Sequence, residues 1–306
     1  MAKATLGGLL GAYPLGQYPL GQGPLGSFSL LNPVPAAAAY VGPSDITGGN
    51  WVLWWGLRAI SKAYCGGPAI DVTRASDSIT KTINTLQSAS GVYPQGCLDY
   101  PTLNLFLSST TGTLSKWWDQ SGSVNHGTVM NSGSGTVAVT PNALGPFMAL
   151  TPNGSAYVQS SFGVAQVTTG PCGITNVMAP TSSTSTGWLE WPTGAGGNIS
   201  TGTVNGTTFG WNAGGSAITV STLCNNTQQH AFNVSINGAS SFVICDGAQT
   251  SGTFGSISLS SAVPSIFGEG SGFNNAGPGV EFGIFNGNYA SYAALVNNNQ
   301  HAFLKF

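Results

Sequence analysis

The sequence predicts an all-β sandwich or jelly roll with a few short helices and an extended N-terminal arm. The main observation is a series of short β-branched or aromatic runs separated by Gly, Asn and Ser clusters, many at intervals of roughly eight to twelve residues. Charged residues make up only 5% of the 306 residues, against about 25% in ordinary soluble domains, and 45 residues are Gly. A neutral polar surface and many tight turns suit a strand-rich fold.

The charge balance and the apolar runs exclude two classes of protein. Seven Lys and Arg stand against nine Asp and Glu, which is too few cations to neutralise a phosphate backbone, so nucleic-acid binding is excluded. The longest apolar runs, Ala36–Val41 and Trp51–Leu57, are much shorter than the roughly 18 residues that a membrane-spanning helix requires. We therefore expect no insertion into a membrane.

Residues 1–42 are predicted to form an extended anchoring arm. The sequence YPLGQ at Tyr13–Gln17 is repeated at Tyr18–Gln22 and follows in degenerate form at Gly23–Ser27. A period of five with fixed Pro and Gly fits neither a helix nor a half-buried strand, so the segment is extended or turning. A disordered linker is one interpretation. The other is an arm that docks on a partner or a second copy of the chain through Leu15, Leu20 and Leu25.

Three helices are predicted in the domain of residues 43–306. Asn50 is a suitable N-cap for an amphipathic helix from Trp51 to Tyr64, whose tryptophans would pack on a sheet or, alternatively, form a ligand platform. A second short helix begins at Asp99, and the tail Tyr289–Phe303 forms a third. The predicted strands are Ala69–Arg74, Ser78–Ile83, Thr136–Val139, Tyr157–Ser160, Val204–Trp211, Ala217–Thr222, His230–Ile236, Ser241–Cys245, Ser256–Leu259 and Val280–Phe285.

The five cysteines show no metal-binding spacing. No CxxC pair and no matching His spacing occurs, so a zinc site is not expected. Cys224 and Cys245 could pair across neighbouring strands, but buried free thiols are an equal alternative.

Three blocks of sequence bracket most of the domain. They are Leu57–Tyr64 followed by Ala69–Asp77, the block Lys116–His126 with its W-D-Q-S-G core, and Gly279–Gly287 followed by Asn299–Phe303. These blocks resemble concanavalin A-like, laminin-G-like domains. This resemblance implies a jelly-roll sandwich of the kind found in tail, fibre and decoration proteins of bacteriophages. The same family resembles the catalytic sandwich of α-L-arabinofuranosidases.

The turn Asp119, Gln120, Ser121 and Gly122 has two interpretations. A carboxylate at the end of an aromatic strand accepts backbone amides and closes an Asx-type turn. The functional alternative is a calcium or sugar site that also uses Asn125 and His126. Arg58 with Asp119, or Arg74 with Asp77, is expected to form an ion pair.

A glycosidase needs two carboxyl groups, one on each side of the scissile bond. The best candidates among the nine acids are Glu190, Glu269 and Glu281. In the arabinofuranosidase-like relatives an acid lies in the glycine-rich loop before the closing strand, where this chain has Glu269 in place of the expected Asp. Glu190, flanked by aromatic residues, is alternatively part of a sugar-binding shelf. The candidates for glycan binding are Trp188, Glu190, Trp191 and Trp211.

The interpretation that these observations favour is a structural protein of a bacteriophage virion. It would be a decoration, spike or fibre subunit on the virion surface, held to other virion proteins by the arm and forming a homo-oligomer, by analogy a trimer. The exposed sandwich would bind a host glycan without cofactor, metal or enzymatic activity. The alternative is a glycoside hydrolase of the arabinofuranosidase type or a secreted carbohydrate-binding module.

Overall fold

Two antiparallel sheets form the body of the protein. The computed structural model describes residues 39–131, 135–144, 147–153, 156–161, 171–179, 189–191, 199–204, 208–213, 216–220, 228–255, 263–269, 273–274 and 277–305. Tyr40–Phe306 is one compact unit. Residues 1–38 of the predicted arm, with Leu15, Leu20 and Leu25, lie outside the described residues. The last residues of the predicted arm belong to the body instead, since Tyr40 is 6% exposed and packs in a core cluster.

The described strands and helices are numbered here in chain order. The strands are β1 (Trp51–Gly56), β2 (Pro68–Arg74), β3 (Thr80–Asn84), β4 (Gly112–Trp117), β5 (Gly127–Asn131), β6 (Thr136–Leu144), β7 (Phe147–Asn153), β8 (Ala156–Ser160), β9 (Cys172–Met178), β10 (Leu189–Trp191), β11 (Ile199–Val204), β12 (Thr208–Ala213), β13 (Ser216–Val220), β14 (His230–Ile236), β15 (Ser241–Cys245), β16 (Ala248–Gly252), β17 (Ser265–Ile266), β18 (Gly268–Glu269), β19 (Phe273–Asn274) and β20 (Gly279–Asn286). The helices are α1 (Pro43–Thr47), α2 (Tyr100–Leu107) and α3 (Ala293–Leu304), with 3₁₀ turns at Lys62–Tyr64 and Gly238–Ser240.

Strand pairing follows two series, which we call the back sheet and the front sheet. The back sheet pairs in the order β16-β15-β14-β9-β20-β1. The front sheet pairs in the order β3-β2-β4-β5-β8-β17-β10-β11-β12-β13. The hairpin β6-β7 links the two, because β6 also pairs with β4 and β7 with β20.

The core lies between the two sheets, where aromatic rings from opposite layers pack together. Trp55 of the back sheet stacks on Trp117 of the front sheet with ring centroids 6.1 Å apart, and Trp211 approaches Phe232 at 6.4 Å. All four rings are at most 1% exposed. The predicted all-β sandwich with a few short helices is confirmed.

The predicted helix from Trp51 to Tyr64 is wrong, because its first half is strand β1. Every residue of β1 is buried, since the strand is covered on both sides. Leu53 and Trp55 belong to the core between the sheets, while Trp51 and Trp54 pack with Phe285 under α3. A strand that is buried on both faces reads as a continuous apolar run and loses the alternation that identifies a half-buried strand.

The caps of the first two helices follow from local chemistry. The proposed cap, Asn50, instead has a left-handed φ of 65°. The helix that does form, α1, has Pro43 in its first turn, and its Asp45 carboxylate accepts from the Gly42 amide at 2.8 Å. In α2, which was predicted, the Asp99 side chain accepts from the Thr102 amide at 3.0 Å, as an N-cap should.

The remaining predicted strands are mostly confirmed, two of them with the predicted bounds. His230–Ile236 and Ser241–Cys245 are β14 and β15, and the tail helix is α3. The predicted strand Val204–Trp211 instead takes in the end of β11 and the start of β12, which pair antiparallel, and its residues 205–207 lie outside the described residues. Ser256–Leu259 lies outside the described residues. Strand β9 was missed because all seven of its residues are buried, so it too shows no alternation.

Three described cysteines, Cys65, Cys97 and Cys172, are free and buried. Burial raises the pKa of the Cys97 and Cys172 thiols to about 12. Cys245 is in a disulfide, whereas Cys224 lies outside the described residues. Within the described part of the chain, no helix combines the length and the apolar character that crossing a bilayer requires.

Candidate functional site

A row of directly paired residues crosses the outer face of the front sheet. Directly paired residues of neighbouring strands share one face of a sheet, so the register places all members of the row on the same face. In order from β3 to β13 the row is Thr82, Asp71, Lys116, Thr128, Gln159, Ser265, Glu190, Ser200, Asn212 and Ala217.

Most members of this row whose exposure is described face away from the core, whereas Ser265, the partner of Glu190, is 1% exposed. Thr82, Thr128 and Asn212 are exposed, and Asp71 and Gln159 are half-buried. The residues at the alternate positions, such as Val158 and Ile266, are buried. Neutral hydroxyls and amides therefore dominate this face, and such groups suit hydrogen bonds to sugar hydroxyls.

The register brings the two favoured acidic candidates into one neighbourhood. Glu190 on β10 is paired with Ser265 of β17, and Glu269 on β18 follows β17 after only two residues. Residue pairs of β10 and β18 lie within 8 Å of each other, Cα to Cα. Glu190 and Glu269 thus lie on neighbouring strand segments, although they are 79 positions apart in the sequence.

The other seven of the nine acids are engaged in structural contacts. Asp45 and Asp99 bind backbone amides at helix starts, Asp71 accepts from Thr82 and Trp118, Asp77 pairs with Arg74, Asp119 closes a turn, Asp246 contacts His230 and His301, and Glu281 pairs with Arg58. The expected Arg74–Asp77 pair is confirmed. The partner of Arg58 is Glu281 rather than Asp119.

Glu281, the third acidic candidate, is not available to a substrate. It is 1% exposed, and its carboxylate accepts from the Arg58 guanidinium and from Gln300 Nε2 at 3.1 Å. Gln300 belongs to α3, which covers this side of the back sheet. Glu281 is therefore a structural residue that holds α3 against the back sheet. Its position in the closing strand did not predict that α3 would cover it.

Asp119 organises the predicted turn from a buried position. Oδ1 accepts from the amides of Trp54 and Ser121 at 2.9 and 3.0 Å, and Oδ2 accepts from the Ser121 hydroxyl at 3.0 Å and the Asn125 amide at 2.9 Å. Gln120 accepts from the Ile60 amide and donates to the Gly56 carbonyl, both at 2.8 Å. N–H and O–H donors thus surround both carboxylate oxygens, which is the arrangement of a structural turn rather than of a cation ligand.

His126 lies beside this turn in a fixed neutral form. Its Nδ1 accepts from the Asp119 amide at 3.1 Å, so the proton is on Nε2. Burial, and then the Lys116 ammonium, hold the pKa of His126 below its usual range. Its ring packs edge-on against Trp118 at 4.6 Å, and Lys116 Nζ lies over the same indole at 3.5 Å.

The aromatic glycan-binding candidates do not form one exposed shelf. Trp211 is 1% exposed, because it occupies the alternate, inward position next to Asn212 on β12. Trp191 is paired with Ile199, at the alternate position to Glu190, and Trp188 lies outside the described residues. The half-buried residues Gln159 and Tyr157 of β8 were missed, although the alternation of that strand marks them as outward-facing.

Three solved structures of arabinofuranosidases share this fold. They are a GH54 α-L-arabinofuranosidase soaked with a cyclic sulfate inhibitor (TM-score 0.58, 18% identity), a Glu-to-Gln mutant of a GH54 α-L-arabinofuranosidase soaked with 4-nitrophenyl α-L-arabinofuranoside (0.60, 18%), and an arabinofuranosidase complexed with arabinofuranosyl-α-1,2-xylobiose (0.57, 17%). In each case the match covers 85% of this chain and 64% of the other, so the chain spans less than two thirds of their length. The sequence matches no protein-family model and no curated protein.

These similarities correct one expectation and leave another without support. The inference that the chain is not an enzyme is wrong, because arabinofuranosidases share the fold of this chain over 85% of its length. The expected relation to the arabinofuranosidase sandwich is confirmed at the level of the fold. Nothing in these structures links the chain to a bacteriophage virion.

Proposed function

We propose that this chain is a glycoside hydrolase domain of the arabinofuranosidase type, with Glu190 and Glu269 as its pair of carboxyl groups. The observation that carries the proposal is the approach of β10 and β18 to within 8 Å, Cα to Cα. Glycosidases hold their two carboxyl groups roughly 5 to 9.5 Å apart, which glutamates on adjacent segments can span. The engagement of the other seven acids in structural contacts leaves this pair as the candidates.

The chemistry of the pair follows from the reaction. One carboxylic acid protonates the leaving oxygen, while the other, ionised, attacks the anomeric carbon or activates water. The exposed outer face of the front sheet would hold the sugar through neutral groups such as Thr128 and Gln159. A binding face on which hydroxyl and amide groups predominate suits an uncharged glycoside.

The experiment compares hydrolysis of 4-nitrophenyl α-L-arabinofuranoside by the wild type with that by Glu190→Gln and Glu269→Gln. Each substitution is expected to lower kcat by about 10³-fold or more, since each removes one proton-transfer or nucleophilic group. The matched control is Asp71→Asn, a carboxylate in the same row but five strands from Glu190, about 24 Å at the usual strand spacing. It should retain wild-type kcat.

Two outcomes would contradict the proposal. If either Gln variant kept wild-type kcat, that residue would not be a catalytic carboxyl group. If the wild type bound arabino-oligosaccharides in calorimetry but released no nitrophenol from any aryl glycoside, the carbohydrate-binding alternative would replace the enzyme. The anchoring of the chain to a virion remains a prediction that depends on the YPLGQ arm.

A further inference from the structure

A cavity of about 270 Å³ lies on the other layer of the molecule, beside α1 and the start of β1. Trp51, which lines it, packs with Phe285 in the cluster under α3, whereas Glu190 belongs to the front sheet. The cavity reaches the surface, since Asn50 and Ala63 in its lining are exposed. It is therefore separate from the proposed catalytic pair.

The aromatic lining offers ring carbon rather than polar groups. Trp51 Nε1 donates to Thr47 Oγ1 at 2.9 Å, and the Tyr64 hydroxyl donates to the Pro68 carbonyl at 3.0 Å. Burial and the Asp119 carboxylate raise the pKa of Tyr64 to about 12, so the phenol stays neutral. Aromatic carbon of this kind packs against the C–H groups of a sugar ring.

The polar lining has hydrogen-bonding capacity to spare. Among the described contacts, the Ser44 hydroxyl and the Asn50 side-chain amide make no hydrogen bond, and both residues line the cavity. Ser61 Oγ accepts from the Tyr64 amide at 3.3 Å, which leaves its O–H free to donate. Hydroxyl and amide side chains can both donate and accept hydrogen bonds, as the hydroxyls of a sugar do.

The lining carries no charge, and the volume sets the size of a ligand. No Asp, Glu, Lys, Arg or His lines the cavity, and the neighbouring Asp45 carboxylate is taken by the amides of Gly42 and Lys62 at 2.8 Å. The space of about 270 Å³ is many times the roughly 10–15 Å³ that one water needs, so it is large enough for a single sugar residue.

We infer that this cavity is a secondary binding site for a single neutral sugar residue. The half-buried ring of Tyr64 and the small exposed part of Trp51, 5% of the residue, face the sugar ring. Ser44, Asn50 and Ser61 bind its hydroxyls. Such a site would hold the protein on a glycan independently of any catalysis at Glu190 and Glu269.

The test is saturation-transfer NMR with methyl α-L-arabinofuranoside and methyl β-D-xylopyranoside as probes and the anionic methyl β-D-glucuronide as the charged comparison. Transfer to at least one neutral probe is expected, and none to the glucuronide. Ala63→Phe should lower the transfer by filling the cavity from its rim, and any transfer that remains comes from sugar bound at the proposed catalytic pair. Ser44→Ala and Asn50→Gly, the latter keeping the left-handed backbone, should each weaken binding by about fivefold, the worth of one hydrogen bond.

A control keeps the result specific. Ala75→Phe places the same ring at another exposed alanine and should leave the transfer unchanged. The inference is overturned if Ala63→Phe binds both neutral probes as well as the wild type, which would place the sugar outside the cavity, or if neither neutral probe shows transfer.

Discussion

In a chain with 5% charged residues, individual ionised groups carry much of the internal organisation. Asp119 joins β1 to the segment that follows β4, because its two oxygens bind Trp54 on one side and Ser121 and Asn125 on the other. The Arg58 guanidinium joins β20 to α3 by binding Glu281 and, at 2.7 Å, Asn299. With so few charges, each one that is buried needs a specific partner.

The Arg58–Glu281 pair allows a prediction at the scale of single residues. Glu281→Gln keeps the shape of the side chain but leaves the buried Arg58 without a counterion. We expect the free energy of unfolding, measured in urea, to fall by about 3 kcal/mol. The matched control is Asp77→Asn, which breaks the exposed Arg74–Asp77 pair and should change stability much less, because solvent screens that pair. Equal losses in the two variants would contradict this account.

The small number of acidic residues also explains which part of the candidate site could be predicted from the sequence. With nine acids in the chain, Glu190 and Glu269 could be singled out by their neighbours alone. The sequence did not predict that β10 and β18 lie close together, because this proximity depends on the pairing of β17 with both β8 and β10. The inward position of Trp211 depends on the same register.

Secondary-structure elements were predictable where only one of their faces is covered. The strands around Ile70 and Val158 alternate and were found, and α2 was found through its Asp99 cap. Strands β1 and β9 lie at the centre of the back sheet or beneath α3, so their sequences show no periodicity of two. In β1 the spacing of Trp51, Trp54 and other apolar residues imitates a helix.

Helix α3 is attached to the back sheet through a buried polar network. The Tyr289 hydroxyl, in the segment just before the helix, donates to Asn233 Oδ1 at 2.7 Å, and Asn233 Nδ2 donates to Gln300 Oε1 at 2.8 Å. Gln300 Nε2 in turn donates to Thr175 Oγ1 at 2.9 Å. Gly173 permits the approach, since a Cβ there would lie 2.3 Å from Tyr289 Cγ.

This network predicts how the helix responds to loss of one hydroxyl. Tyr289→Phe removes the donor to the buried Asn233 and should lower the free energy of unfolding by about 1–3 kcal/mol, with faster amide exchange in α3. Tyr292→Phe is the matched control, because no described contact uses its hydroxyl. Protection of the α3 amides that is the same in both variants would show that ring packing alone holds the helix.

At the scale of the whole molecule, the described core begins within the last residues of the predicted arm, at Tyr40. The described core residues run from Tyr40 to Leu304. A chain that begins at Ala39 is therefore expected to unfold within about 2 °C of the full chain in calorimetry. If the arm joins copies of the chain, as its leucine repeat predicts, light scattering should show that the shortened protein has lost its oligomeric state while keeping its melting temperature. A drop of ten degrees or more would show that the arm belongs to the core.

The pairing of β1 with β20 has a consequence for how the protein is made. Within the described residues, the strand that pairs with Trp51–Gly56 is Glu281–Phe285, which comes much later in the chain. During synthesis the tryptophan-rich segment leaves the ribosome long before its partner strand has been made. Its apolar surface therefore stays exposed to solvent through most of translation. Overproduction at low temperature, or with a holdase chaperone present, should therefore raise the soluble yield.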